Sequence, residues 1–266
     1  MRIGKLSTWS KRSVRIFKIS QRGNFRDTGI LGLAFAGDLD MHDAVREFWN
    51  TRDPEVFDST AKSSGRMDAI NRVAALAKPY VSKEGAVSMD LGCGTGLFAD
   101  AVRTRDIIGV DFSPSLLVAA RRRMDTVRQQ NVFCLKLSKN SVDNIVSLFV
   151  MDDYQSEKKC EFFTQVFSFL KLGGHFFLAA YSPNDERMGR FREAINAKLG
   201  VSFRICLEDA SFYKDGLQKI GFAIDESETV RANGVYQTGE ESVQLKREFI
   251  VIVARKPEVV MKPSAE

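Results

Sequence analysis

Residues 86–111 constrain the fold of this chain more than any other stretch. An apolar run ends at Asp90, and glycines follow at every second position, Gly92, Gly94 and Gly96. A helical stretch from Leu97 to Arg103 comes next. A second apolar run then ends at Asp111. Strand, glycine loop, helix, strand, acid is the order by which an open parallel α/β sheet holds an adenosine-containing ligand at the carboxyl ends of its strands. Glycine has no Cβ, so the loop can turn tightly and its backbone can approach a ligand. A carboxylate at the tip of the second strand can accept hydrogen bonds from both hydroxyls of a ribose. Asp90, closing the first strand, can hold backbone or ligand N–H groups.

The glycine spacing separates two ligand classes. A dinucleotide fingerprint is G-x-G-x-x-G, its last glycine allowing close helix packing. Counted from Gly92, that position is Leu97, and the third glycine falls one place early at Gly96. The segment Asp90-Leu-Gly-Cys-Gly-Thr-Gly96, followed by Gly109-Val-Asp111, resembles the first motif of the class I S-adenosylmethionine-dependent methyltransferases. The order of elements over residues 45–256 is similar to that whole domain. The fold this implies is α/β: a doubly wound, mainly parallel seven-stranded sheet with the last strand antiparallel, under a helical amino-terminal cover.

The resemblance implies S-adenosylmethionine as cofactor. It places Asp90, Gly92, Cys93, Gly94 and Gly96 around the cofactor's amino acid portion, Asp111 at the ribose and Phe112 by the adenine. Ser147 and Leu148, late in strand four, match positions that line the methionine end. Arg66 is a candidate for the cofactor carboxylate. The chain departs from the pattern in one respect. Many relatives carry an acid near the end of strand three that receives the adenine amine, and Asn131–Asn140 contains none.

Composition narrows the partners. The net charge of +5 resides in residues 1–40, with eight basic and three acidic residues; the remainder is balanced at 31 of each. A nucleic-acid enzyme more often carries a basic face on its catalytic part, so the balance weighs against nucleic acid. The D/N-P-P-Y/F/W signature of base-amine methylation is also missing; Tyr181-Ser-Pro-Asn184 is the nearest segment. No apolar run approaches the ~20 residues that span a bilayer. Four scattered cysteines and two histidines give no metal-ligand spacing, so no metal is expected. Reduced thiols in the cytoplasm are the plain reading.

Along the chain, residues 1–40 form a basic extension, 41–256 the main domain with its cover over 41–85, and 257–266 a disordered tail. Residues 1–26 hold eight basic residues and no acid. They read as a disordered tail, as an organelle-targeting segment, or as residues ahead of a true start at Met41. The periodicity predicts a helix over 64–78 ended by Pro79, a helix from Pro114 to about Met124 and a strand over 131–135. Further strands are expected over 145–150, 175–181, 221–224 and 248–254, with helices over 157–170, 188–199 and 210–219. The polar stretch 225–247 reads as a hairpin-like excursion.

Methyl transfer from a sulfonium is a direct displacement, and the enzyme must chiefly align the acceptor and exclude water. A base is needed only where the acceptor must lose a proton. Candidates at the carboxyl ends of strands four and five are Asp152, Asp153, Tyr154 and Tyr181; His42 would require the cover to fold over the site. His175 begins its strand at the opposite end of the sheet. Phe48, Trp49 and Phe57 could form an aromatic lid. The leading expectation is methylation of a small-molecule acceptor on nitrogen, oxygen or carbon. The alternatives are an RNA, DNA or protein methyltransferase, a non-catalytic cofactor-binding subunit serving a partner and, more remotely, a nicotinamide dehydrogenase.

Overall fold

The computed structural model describes residues 49–188, 206–238 and 241–258. The extension 1–40, His42, Phe48, most of the expected helix over 188–199 and nearly all of the 257–266 tail lie outside the described residues. Helix α1 (Pro54–Ser63) is capped by Asp53, whose carboxylate accepts from Glu55 and Val56 N–H, with Pro54 in the first turn. Helix α2 (Arg66–Val81) follows, then β1 (Ser88–Leu91), α3 (Leu97–Val102), β2 (Ile108–Asp111) and α4 (Pro114–Ala120). The chain continues through β3 (Thr126–Gln129), β4 (Val142–Leu148), α5 (Ser156–Phe169) and β5 (Leu170–Tyr181). It ends with α6 (Ala210–Ile220), β6 (Ala223–Thr238) and β7 (Glu241–Arg255).

The seven strands lie in the order β3-β2-β1-β4-β5-β7-β6. β1 to β5 pair in parallel, and β7 runs antiparallel to both β5 and β6. This is the expected mainly parallel sheet with its last strand reversed. The strand order turns back between β1 and β4, and an open α/β sheet has its binding crevice at the carboxyl ends of such strands.

Successive side chains of a buried strand point to opposite faces, so the sheet has two cores. Ile145, Phe176, Leu178 and Ile252 pack with Phe162, Phe163 and Tyr213 from α5 and α6. Their chain neighbours Val146, Phe177, Ala179 and Val251 pack with Ile70, Val73 and Ala74 of α2 and with Leu97 and Phe98 of α3. Both faces are covered, which is why these strands read as unbroken apolar runs.

Two local expectations are corrected. The third strand is Thr126–Gln129, and Val132–Cys134 is instead a single 3₁₀ turn. β3 lies at the sheet edge and is largely exposed, so it carries no apolar run; Val132 and Leu135 are apolar because they plug the core beneath it. Pro79 does not end its helix but sits inside the last turn of α2. The bond it removes, to the Ala75 carbonyl, falls at an exposed helix end where water can replace it. The polar stretch 225–247, expected as a hairpin-like excursion, is a long β-hairpin in which β6 and β7 stay paired to Thr238↔Glu241. Its polarity follows from β6 being an edge strand.

Candidate active site

The glycine loop is fastened to β2 by its own backbone. Gly92 N–H and Cys93 N–H both donate to the Val110 carbonyl, at 2.7 and 3.1 Å. Gly94 N–H donates to Asp111 Oδ2 at 2.8 Å, and Ser113 N–H to Asp111 Oδ1 at 2.8 Å. One carboxylate therefore joins the loop after β1 to the cap of α4. Gly92 has φ 82° and Gly94 φ 54°, backbone that side-chain-bearing residues rarely adopt. A Cβ on residue 92 would overlap Val150 Cγ2, whereas one on residue 94 would stand 3.5 Å from the Phe57 ring.

Burial sets the electrostatics. Asp90 is 2% exposed. Desolvation first, and the Asp111 charge second, push its carboxyl up to about 8. Asp111 is raised by burial, against the opposing pull of the backbone N–H groups of Ser113, Gly94 and Phe112. The Cys93 thiol is driven up by burial and by both acids, so it stays protonated and packs rather than attacks.

A cleft opens over this loop. Asp90, Gly92, Cys93, Gly94 and Asp111 line its floor. Phe112, Leu116 and Val132 form one apolar wall; Leu148, Phe149 and Val150, at the carboxyl end of β4, form another. Trp49 and Phe57 close the amino-terminal side, with ring centroids 5.9 Å apart. The Trp49 carbonyl accepts the Ser113 hydroxyl at 2.7 Å, tying this cover to the α4 cap. Arg66 also lines the cleft, with its guanidinium 4.6 Å from the Phe57 centroid and 5.9 Å from that of Phe149. Phe149 has φ 60°, a rare conformation for a bulky side chain. The strain accompanies a turn that sends its ring onto Tyr181 and Phe249.

Other candidates are not brought to the cleft. Ser147 Oγ is fully buried and donates to the Leu91 carbonyl at 3.0 Å. Gly96 caps α3 and donates its N–H to Cys93. Asp152 is buried behind the wall, where its Oδ1 accepts Tyr181 N–H at 3.2 Å. Asp153 follows it in the backbone of a 3₁₀ turn, and its side chain lies outside those described. Tyr181 packs between Phe149 and Phe249. Among the described catalytic candidates, Tyr154 is the one that lines the cleft, and its ring sits against Phe133. His175 pairs with Asn144 and Arg255, away from the site. No group of three or more metal-ligating side chains occurs among the described residues, and no described helix is long and apolar enough to cross a membrane.

Sequence reasoning missed Phe149, Val150 and Val132 in the walls. Apolar residues carry no motif, and the positive φ of Phe149 left no sequence signal. It also missed Arg247, and here a signal existed: Leu245, Arg247 and Phe249 alternate along β7 and all three are buried, so the arginine sits on an inward register.

A family model described as a methyltransferase domain matches residues 89–176. No curated protein matches the sequence. Among solved structures, the chain is similar to a magnesium protoporphyrin IX methyltransferase from Synechocystis with S-adenosylhomocysteine bound. The identity is 15% and the TM-score 0.57, covering 80% of this chain and 99% of that one. The YcgJ protein of Bacillus subtilis has 15% identity and a TM-score of 0.53, over 71% and 99% of the two chains. A chain from the complex of the Haloferax volcanii Trm112 methyltransferase activator with a methyltransferase has 18% identity and a TM-score of 0.54, over 79% and 100%. These similarities concern the fold.

Proposed function

We propose that this chain, which carries a class I S-adenosylmethionine-dependent methyltransferase domain, binds that cofactor in the cleft and transfers its methyl group to a small acceptor. The observation that carries the reading is the pairing of Asp111 with Arg66 on one cleft. Each Asp111 oxygen accepts one backbone N–H, and a carboxylate has further lone pairs on the open side for two ribose hydroxyls. Arg66 is 8% exposed, its Nη2 donates to the Phe57 carbonyl at 3.5 Å, and among the described residues it has no carboxylate within ion-pair distance. A guanidinium so placed calls for an anion, and the cofactor's carboxylate would supply one.

Residues of this chain would then divide the work. Asp111 holds the ribose. Phe112, Leu116 and Val132 flank the adenine, with backbone groups near Asn131 standing in for the missing strand-three acid. Asp90 and the Gly92–Gly94 loop receive the amino acid portion. Bound S-adenosylmethionine supplies a methyl group on a sulfonium, already activated for displacement. Trp49 and Phe57 keep water out, and Leu148 to Val150 shape the approach of the acceptor. Tyr154 is placed to contact an acceptor or move its proton. The electrically balanced domain and the aromatic cover favour a small molecule over nucleic acid, and the four free cysteines fit a reducing compartment such as the cytoplasm.

Calorimetric titration with S-adenosylhomocysteine, beside an Asp111→Ala variant, tests the reading. Micromolar binding that the variant loses is the expected result. No binding to the native chain would overturn it. A second reading, a cofactor-binding subunit completed by a partner, draws on the missing strand-three acid; binding without turnover across a broad acceptor panel would favour it.

A further inference from the structure

Thr95 sits between two glycines in the left-handed region, Gly94 at φ 54° and Gly96 at φ 83°. Glycine backbone does not fix a loop by its own sterics, so side chains must hold this one. Thr95 is fully buried, and its Oγ1 donates to Asp58 Oδ1 at 2.5 Å. Asp58 belongs to α1, in the amino-terminal cover. Its other oxygen, Oδ2, accepts Arg123 Nη2 at 2.7 Å, and Arg123 Nη1 donates to the Thr95 carbonyl at 3.0 Å. The three residues close a ring of hydrogen bonds that joins the cover, the glycine loop and the turn after α4.

Asp58, Thr95 and Arg123 do not line the cleft. What they place there is Phe57, the residue before Asp58. Its ring stands 3.5 Å from where a Cβ on Gly94 would lie, and the Arg66 guanidinium lies over it at 4.6 Å. The network also reaches the acid at the tip of β2, because Gly94 N–H donates to Asp111 Oδ2 and Thr95 is the next residue. A hydrogen bond from a hydroxyl to a carboxylate is of the short, strong kind, and here its donor is shielded from solvent. Trp49 is tied down separately, through its carbonyl and the Ser113 hydroxyl. Each ring that the cover presents to the cleft therefore has its own tie to the sheet domain.

We propose that Asp58 is a positioning residue: by holding Thr95 and Arg123 it draws the cover onto the glycine loop and sets the Phe57 ring over the bound cofactor. The inference rests on the methyltransferase reading and adds to it how the cofactor is retained and kept from water. Displacement at a sulfonium gains from an enclosed, dry site. Asp58 itself stands outside the cleft and acts through Phe57.

The test is a double-mutant cycle on the affinity of the full chain for S-adenosylhomocysteine, read by calorimetry. Thr95→Val removes the hydroxyl and should weaken binding about tenfold, within the range of a hydrogen bond to a charged group. Thr95→Ser keeps the hydroxyl and should stay within about twofold of the native chain, the scatter of an independent substitution. Asp58→Asn, at a side chain 17% exposed, breaks the ring from its other side and should match Thr95→Val. It carries the test if the buried Val variant does not fold. In a Phe57→Ala background either substitution should cost no more than about twofold, because the ring it would misplace is gone. A general loosening of the fold would instead cost as much in both backgrounds. Equal losses in the two backgrounds, native affinity in both Thr95→Val and Asp58→Asn, or a Ser variant as weak as the Val variant would overturn the inference while leaving the methyltransferase reading intact. Failure of the native chain to bind S-adenosylhomocysteine would overturn both.

Discussion

Asp90 and Asp111 stand at the carboxyl ends of adjacent strands, and the charge of Asp111 helps hold Asp90 protonated to about pH 8. Their environments differ. Asp111 receives two backbone hydrogen bonds at 2.8 Å, while Asp90 is desolvated beneath the loop. Like-charged neighbours separate their titrations, leaving a neutral acid and a hydrogen-bonded one on the floor of one cleft.

The pH dependence of stability follows from that pair. The Asp90 carboxyl lies far above the ~3.9 of an unfolded chain. Its contribution is therefore fully present below about pH 4 and is lost as pH rises through about 8. The slope is about 1.4 kcal/mol per pH unit while the folded form holds the extra proton. Asp90→Asn removes this dependence, whereas Asp111, raised in the same direction, remains in both proteins. Urea denaturation at pH 5, 6.5 and 8 should show the native chain losing at least ~2 kcal/mol relative to the variant. Parallel curves would mean that Asp90 is ionised in the fold.

Gly92→Ala combines two penalties, a left-handed backbone and a methyl group driven into Val150. Strain of ~1–2 kcal/mol and overpacking of ~1–3 kcal/mol should lower stability by about 2–5 kcal/mol and abolish S-adenosylhomocysteine binding. Gly85→Ala carries a similar φ with open space around it and should cost only the backbone part. Equal losses in the two variants, read from denaturation midpoints, would show that Val150 gives way.

Arg66→Gln should weaken S-adenosylhomocysteine by roughly 10–100-fold, the range of a charge-assisted hydrogen bond. Adenosine, which lacks the carboxylate, should bind native and variant chains alike. A parallel loss for adenosine would assign Arg66 a structural role.

Tyr213 is fully buried and its hydroxyl has no hydrogen-bond partner among the described residues. Burial pushes it far above its usual range, with Asp152 and Glu208 adding to the effect. Removing an unsatisfied buried hydroxyl relieves a desolvation cost of about 1–3 kcal/mol. Tyr213→Phe should therefore leave the thermal midpoint unchanged or raise it. A clear fall would mean that the hydroxyl is bonded in solution.

The local chemistry of the loop was legible because it is written in consecutive residues. Gly92 to Gly96 and Asp111 follow from turn sterics and strand length, and Ser113-Pro114 caps α4 as its residue types require. The third strand was misplaced because an edge strand carries no apolar run. The β6–β7 hairpin was expected, but the length of its strands was not, since their residues are polar where the sheet ends.

By itself, the sequence determined the parallel sheet, the glycine loop and the acid at the second strand tip. Each depends on short-range periodicity and on backbone conformations that few residues can adopt. Only the tertiary structure decided which polar groups share a space. Asp185 and Arg247 come from the segment after β5 and the last strand, 62 residues apart, and no spacing predicts their buried ion pair. Ser147 and Leu148 are adjacent in sequence, yet one is locked onto Leu91 and the other faces the cleft. Burial, which sets the charge of Asp90, is a property of packed neighbours distant in the chain.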